Sequence, residues 1–185
     1  MKTELLDRER SVLVVIDLQE RMLPHVHEHE RMLKRIDLLL SAAAVMNVPV
    51  LLTEQYPKGL GRTVEEIRLV FPSLQPMEKT CFSCVPAPGF IDRLSFLKRD
   101  QVVLAGVETH ICVTQTAFDL AERGENVFVV TDATSSRRPA DCRTGLKRLG
   151  QRGITLLPAE AVVFEWLRCS GNDEFKALQP KLKPL

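Results

Sequence analysis

Asp17, Lys79 and Cys112 are the side chains of this 185-residue sequence best placed to do chemistry. Asp17 ends the apolar run 11–17 (SVLVVID), which sets a carboxylate where a buried strand opens. A base or acid could work there, although a helix cap or a loop-ordering role fits the same position. Cys112 follows the run 101–106 (QVVLAG), in the first turn of a helix whose N-cap is expected at Thr109. A helix N-terminus favours thiolate over thiol, and its unpaired N–H groups face whatever the sulfur attacks. The competing account of Cys112 is a small buried apolar residue, which most free cysteines are. Lys79 lies beside Glu78 in PMEKTCFS, at the end of a weaker run, where a lysine standing alone reads as a solvated surface residue.

The elements that must carry these residues alternate in a regular way. Short apolar runs at 11–17, 49–54 (PVLLTE), 101–106, 126–131 (NVFVVT) and 154–157 (ITLL) read as strands, with a weaker one ending near Lys79. Residues 30–46 repeat apolar side chains at helical spacing, and 109–123 and 139–152 also read as helices. Strand and helix in alternation imply an α/β fold, a three-layer α/β/α sandwich around a Rossmann-like, mostly parallel sheet. In such sheets the binding crevice lies outside the carboxyl ends of the strands. A single domain is expected over 1–170, with a surface arm or loose tail over 171–185.

Other chemistry-bearing residues carry weaker signals. Cys81 and Cys84 have redox or half-zinc spacing, but a second CxxC or a histidine pair at metal spacing is missing, so local packing is the better account. His25, His27 and His29 follow Pro24 and precede a helix, which reads as a solvated loop. His110 diverges from Cys112 on a helix, which disfavours a Cys–His dyad. After Asp17 the chain continues LQERM, without the G-x-G-x-x-G that lets backbone approach a pyrophosphate. Gly59-Leu60-Gly61 reads as a flexible loop, with a lid as the alternative, and Tyr56 in the same segment as loop surface or pocket wall. Phe82 reads as core, with a pocket wall as the alternative.

Charge excludes several partners. Lysine and arginine (25) balance aspartate and glutamate (24), so nothing favours nucleic acid or an anionic membrane, and a small-molecule ligand fits better. No uninterrupted apolar run reaches the roughly 18 residues a spanning helix needs, and the opening MKTELLDRER is charged, so a soluble, cytoplasmic protein is expected. Five cysteines in such a chain imply free thiols rather than a disulfide framework.

VVIDLQ at 14–19, EKTCFS at 78–83 and LAGVETHICV at 104–113 together resemble the isochorismatase-like cysteine hydrolases. LLTEQYPKGLG at 51–61 and GVETHICVTQTAFDL at 106–120 are most similar to the isochorismatase-domain-containing group within them. The resemblance implies a triad in which Cys112 attacks a carbonyl carbon, Asp17 takes the thiol proton and passes it to a leaving amine, and Lys79 holds the two in register. It also implies a non-proline cis peptide between Val107 and Glu108, an oxyanion pocket from the backbone N–H groups of Glu108 and Cys112, and a homo-oligomer. Substrate contacts would come from Gln19, Tyr56, Phe82, Val107 and Glu108. Nicotinamidases of this superfamily bind a divalent metal after the second strand, but no histidine occurs between Glu54 and Lys79, so no metal and no cofactor is expected. Isochorismatases proper cleave a vinyl ether without the cysteine. Cys112 therefore points to an amide, carbamoyl or related acyl substrate, and a non-catalytic oligomeric binding protein that keeps the fold is the alternative. A thiol redox protein using Cys81 and Cys84 would need both sulfurs close and exposed.

Overall fold

The computed structural model describes residues 4–72 and 74–182. The apolar runs form β1 (Ser11–Ile16), β2 (Val50–Gln55), β3 (Met77–Lys79), β4 (Gln101–Val107), β5 (Asn126–Ser135) and β6 (Thr155–Leu157). All pairings are parallel, in one sheet of order β3-β2-β1-β4-β5-β6. From β1 the chain winds outward through β2 and β3, then returns to β4 and winds the other way. The reversal between β1 and β4 leaves a crevice at their carboxyl ends, where Asp17 and Cys112 follow their strands.

Helices cover both faces: α1 (His29–Val45), α2 (Pro57–Leu60), α3 (Glu65–Val70), α4 (Phe90–Leu97), α5 (Thr114–Glu122), α6 (Pro139–Gln151), α7 (Ala159–Leu167) and α8 (Asp173–Leu182). Successive strand residues face opposite sides of a sheet, and here both sides are apolar. Leu13, Val15, Val103, Ala105, Phe128 and Val130 enter a core with α1, α3 and α7. Val12, Val14, Ile16, Val102, Leu104 and Val129 enter a second core with α4, α5 and α6. The three-layer α/β/α sandwich expected from the sequence is the fold that forms. Trp166 of α7 is fully buried and satisfies its indole N–H on Ser11 Oγ at 2.9 Å. Truncating so large a core side chain to alanine costs about 3–5 kcal/mol.

One glycine is dictated by the crevice. Gly106 has φ +113°, and a Cβ there would stand 2.1 Å from the carbonyl oxygen of Ile16. The pairing of β4 with β5 shifts register between Leu104 and Gly106, where a step of two residues along β4 meets a step of five along β5, so the irregularity lies in β5 beside the end of β4.

Several elements differ from the sequence expectations. The segment 109–123 is two elements, a π-helical turn over Thr109–Val113 and then α5. Gly59 and Leu60 end the short helix α2, which is tied down: Arg21 donates to the Gly59 carbonyl at 2.9 Å and Gln19 to that of Gly61 at 2.8 Å. A free lid does not describe this segment. The C-terminal segment forms α8, which packs on α1 and α7 and buries Leu178, so it is not a loose tail; residues 183–185 lie outside the described residues. Among the described residues no helix is long and apolar enough to cross a membrane.

Candidate active site

Asp17 stands one residue past β1 with φ +55°, a left-handed conformation that aspartate tolerates better than most side chains. The turn directs its carboxylate into the interior, where it is 2% exposed. Thr53 of β2 clasps it twice: the Asp17 backbone N–H donates to the Thr53 carbonyl at 3.2 Å, and the Thr53 hydroxyl donates to Oδ1 at 2.8 Å. Lys79, at the end of β3, donates to Oδ2 at 2.6 Å. Burial raises the carboxyl above the ordinary carboxylate range, and the attraction of Lys79 offsets only part of that.

Lys79 is 2% exposed, so the surface-lysine account fails. An ammonium has three N–H groups, and the residues around Nζ use them all. Asp17 Oδ2 accepts at 2.6 Å, Gln55 Oε1 at 2.7 Å and the Phe82 carbonyl at 3.1 Å, with the Cys81 carbonyl at 3.4 Å. Burial opposes the charge on Lys79, yet the Asp17 carboxylate, with smaller contributions from Cys112 and Cys84, outweighs that cost and raises its pKa. Lys79 is therefore a fixed positive charge with no proton to spare. Thr53 and Gln55 alternate along β2 and share a face, one holding Asp17 and the other Lys79, while Glu54 between them faces away.

Cys112 lies in the π-helical turn after β4, not in the first turn of an α-helix. The Thr109 hydroxyl does not cap it: it pairs with Thr134 Oγ1 at 2.9 Å. Gly145 of α6 lets that helix approach closely, since a Cβ there would be 3.0 Å from His110 Cα. Cys112 is 7% exposed, and its thiol is electrostatically coupled to the Asp17 carboxylate. Burial and then the Asp17 charge push this thiol up to about 12. The resting sulfur is thus a protonated thiol, against the expectation of a helix-stabilised thiolate, and it needs a base beside it. The Val107–Glu108 peptide bond is cis. Among the described residues no acceptor outside the helices and strands engages the backbone N–H of Glu108, which stands between β4 and the turn.

Comparison with known proteins meets this geometry at the level of the whole chain. The isochorismatase domain model matches residues 11–161. The chain belongs to the isochorismatase family. Isochorismatase domain-containing protein 2A of Mus musculus is 39% identical over 176 residues, covering 95% of this chain and 84% of the mouse protein. Isochorismatase domain-containing protein 2 of Bos taurus is 40% identical, covering 94% and 83%. Among solved structures, the MAR1 ribonuclease of Caenorhabditis elegans superposes with a TM-score of 0.89 at 35% identity, over 98% of this chain and 93% of that one. The YcaC gene product of Escherichia coli, an octameric hydrolase of unknown specificity, gives 0.92 at 25% identity over 100% and 93%.

On this isochorismatase-family fold the substrate-contact candidates separate. Tyr56 and Phe82 are 55% and 54% exposed, so Phe82 is not core. Tyr56 lines a cavity of about 340 Å³ beside Lys79, whereas Phe82 faces Lys79 through its backbone carbonyl. Gln19 offers its amide to no ligand: Nε2 donates to the carbonyls of Gln55 and Gly61, and Oε1 accepts from the Gln55 N–H. The Val107 side chain is buried in the α1 core. The Glu108 carboxylate accepts from Arg137 N–H and Nε, and its carbonyl from the N–H groups of Ile111 and Val113, so its backbone N–H is what it can turn to the site. His110 pairs with Ser136 Oγ at 2.9 Å. Cys84 is fully buried while Cys81 is exposed, which does not meet the need of a dithiol for two exposed sulfurs.

The residues that close β2 do not fit a divalent metal of the nicotinamidase kind. The local carboxylate, Glu54, is buried with Oε1 taken by the N–H and hydroxyl of Thr63 at 2.6 and 2.7 Å, and Gln55 is spent on Lys79. Neither Thr53 nor Gln55 stands out by sequence. The available signal was a polar pair at alternate positions closing an otherwise apolar strand.

Proposed function

We propose that this protein is a cysteine hydrolase that cleaves a small amide, carbamoyl or related acyl substrate through a thioester on Cys112. The observation that carries the reading is the buried Asp17 carboxylate, fixed on Lys79 at 2.6 Å and coupled in its proton affinity to the Cys112 thiol. A thiol held up near 12 is a poor nucleophile until its proton leaves, and Asp17, itself raised by burial, is the base within reach. Asp17 accepts the thiol proton as sulfur bonds to the carbonyl carbon. The oxyanion that forms takes hydrogen bonds from the backbone N–H of Glu108 and Cys112. Collapse of the tetrahedral adduct expels the amine, to which Asp17 returns the proton. Water then attacks the thioester, Asp17 takes a proton from it, and the carboxylic product leaves as that proton returns to sulfur. Lys79 keeps its hydrogen-bond partners throughout and acts by its field, favouring the anionic forms of both neighbours.

A nearly closed site and a net charge of +1 favour a small ligand over the RNA implied by the name of the nematode relative. The assembly we propose is a homo-oligomer, as named for the E. coli relative, and sedimentation velocity would give its size. A panel of amides and ureides with ammonia release as the readout tests the chemistry, with single-stranded RNA as a parallel substrate. Release abolished by Cys112→Ala in a folded protein is the expected result. Turnover that survives Cys112→Ala, or RNA cleavage without amide cleavage, would sink the proposal.

A further inference from the structure

Asp17 is held from the far side by a relay that has no place in the triad. Thr53 is fully buried, and its β-strand pairing sets it opposite Ile16, so that its backbone and hydroxyl both meet the residue that follows. The hydroxyl has one proton to give and two possible neighbours, Asp17 Oδ1 at 2.8 Å and Cys84 Sγ at 3.9 Å. Cys84 decides which. Its sulfur is fully buried and its backbone N–H is pinned on Thr116 Oγ1 at 2.9 Å. Burial, and after it the Asp17 charge, push the Cys84 thiol up to about 11, so near neutrality it keeps its proton and donates to Thr53. The Thr53 proton is then committed to Asp17.

We propose that Thr53, its hydroxyl oriented by the Cys84 thiol, is the positioning residue that keeps Asp17 ionised and aimed at Cys112. The inference rests on the reading of Asp17 as the base for Cys112. Lys79 fixes one carboxylate oxygen and Thr53 the other, and Cys112 is the remaining group whose proton is coupled to the carboxylate. The titratable groups facing Asp17 are Lys79 from β3, Cys112 from the turn after β4 and Cys84 from the segment after β3. Of these only Cys112 exchanges a proton with it in the reaction. Loss of a donor to the carboxylate makes its ionised form less favourable, so the pH at which Asp17 becomes able to take a proton should rise.

The test is the rate of Cys112 alkylation by iodoacetamide against pH, followed by peptide mass spectrometry, which needs no substrate. Wild type should show an acid limb set by Asp17, and Asp17→Asn should replace it with a single rise at alkaline pH. Thr53→Val, nearly the same shape without the donor, should move the limb upward by about one pH unit, the size expected for a hydrogen bond to a charged group. Thr53→Ser should restore it, and Cys84→Ala should move it in the same direction by less than half as far. A limb that survives in Asp17→Asn, or a Cys112 that does not label, overturns the base assignment and this proposal together. A limb lost in Asp17→Asn yet unmoved in a folded Thr53→Val, or displaced equally by Thr53→Ser, overturns the Thr53 role alone. If Thr53→Val does not fold, an unmoved limb in Cys84→Ala overturns it.

Discussion

An aspartate paired with a cation lies at each end of β1, and the pairs behave in opposite ways. Ahead of the strand, Arg10 donates to Asp100 Oδ1 at 2.9 Å and also grips Glu4, while Asn126 adds a further donor to Asp100. Beyond it, Lys79 meets Asp17 at 2.6 Å. The side chains of Arg10 and Asp100 are 37% and 49% exposed, those of Lys79 and Asp17 0% and 3%. Hydrogen bonds from Arg10 hold Asp100 below the usual carboxylate range, whereas burial lifts Asp17 above it in spite of its cation. Distance alone therefore says little about what an ion pair does. Where water remains, the partner dictates the proton affinity and the pair ties chain ends together; where water is removed, desolvation wins and leaves a carboxylate ready to accept a proton.

The largest effect that separates the ends is on turnover. Cys112→Ala should lower kcat/KM for the substrate found by the panel by roughly 10⁴-fold or more, since a nucleophile and its base act as one unit. Arg10→Met should leave kcat/KM unchanged, and a comparable loss there would break the division between a chemical end and a scaffold end. Stability sharpens the same contrast. Lys79→Met leaves a buried carboxylate without its cation and should cost about 3–5 kcal/mol in urea unfolding. Arg10→Met removes an exposed pair and should cost about 1 kcal/mol or less. Equal costs would mean that the buried pair is not the more committed of the two.

The crevice end was legible where the signal was local and illegible where it depended on distant partners. Continuous apolar runs on both sides of β1 and β4 announce a sheet buried on both faces, and the switch between them points to Asp17 and Cys112. Lys79 could not be recognised without the resemblance, because its burial depends on Asp17, 62 residues away in sequence. The π-helical turn at Thr109–Val113 was invisible for another reason: helical periodicity continues through it, and one extra residue per turn leaves no trace in composition. The helices α4 and α7 escaped notice because α4 is a single short amphipathic stretch and α7 (AEAVVFEWL) is apolar nearly all round. Thr53 and Gln55 read as part of a strand's polar end, and only the fold shows that both face the ion pair.

The smallest effect probes the sign of the two proton affinities directly. Asp100 is held below its ordinary range, so the stability it contributes is present above the unfolded-state value, about 3.9, and is lost as pH falls through its lower folded value. Asp100→Asn should therefore lower Tm near neutrality by a few degrees at most, because the pair is exposed, and the deficit should fade on acidification. Asp17 is raised, so its contribution runs the other way: it is full below the unfolded-state value and is lost as pH rises through the folded one. Whatever constant cost Asp17→Asn carries from leaving Lys79 without its anion, its Tm relative to wild type should improve as pH rises across the carboxylate range, while that of Asp100→Asn worsens. Differential scanning calorimetry of both variants from acid to neutral pH reads the two slopes. Slopes of the same sign would show that burial does not govern Asp17, and would remove the physical basis for its use as a base.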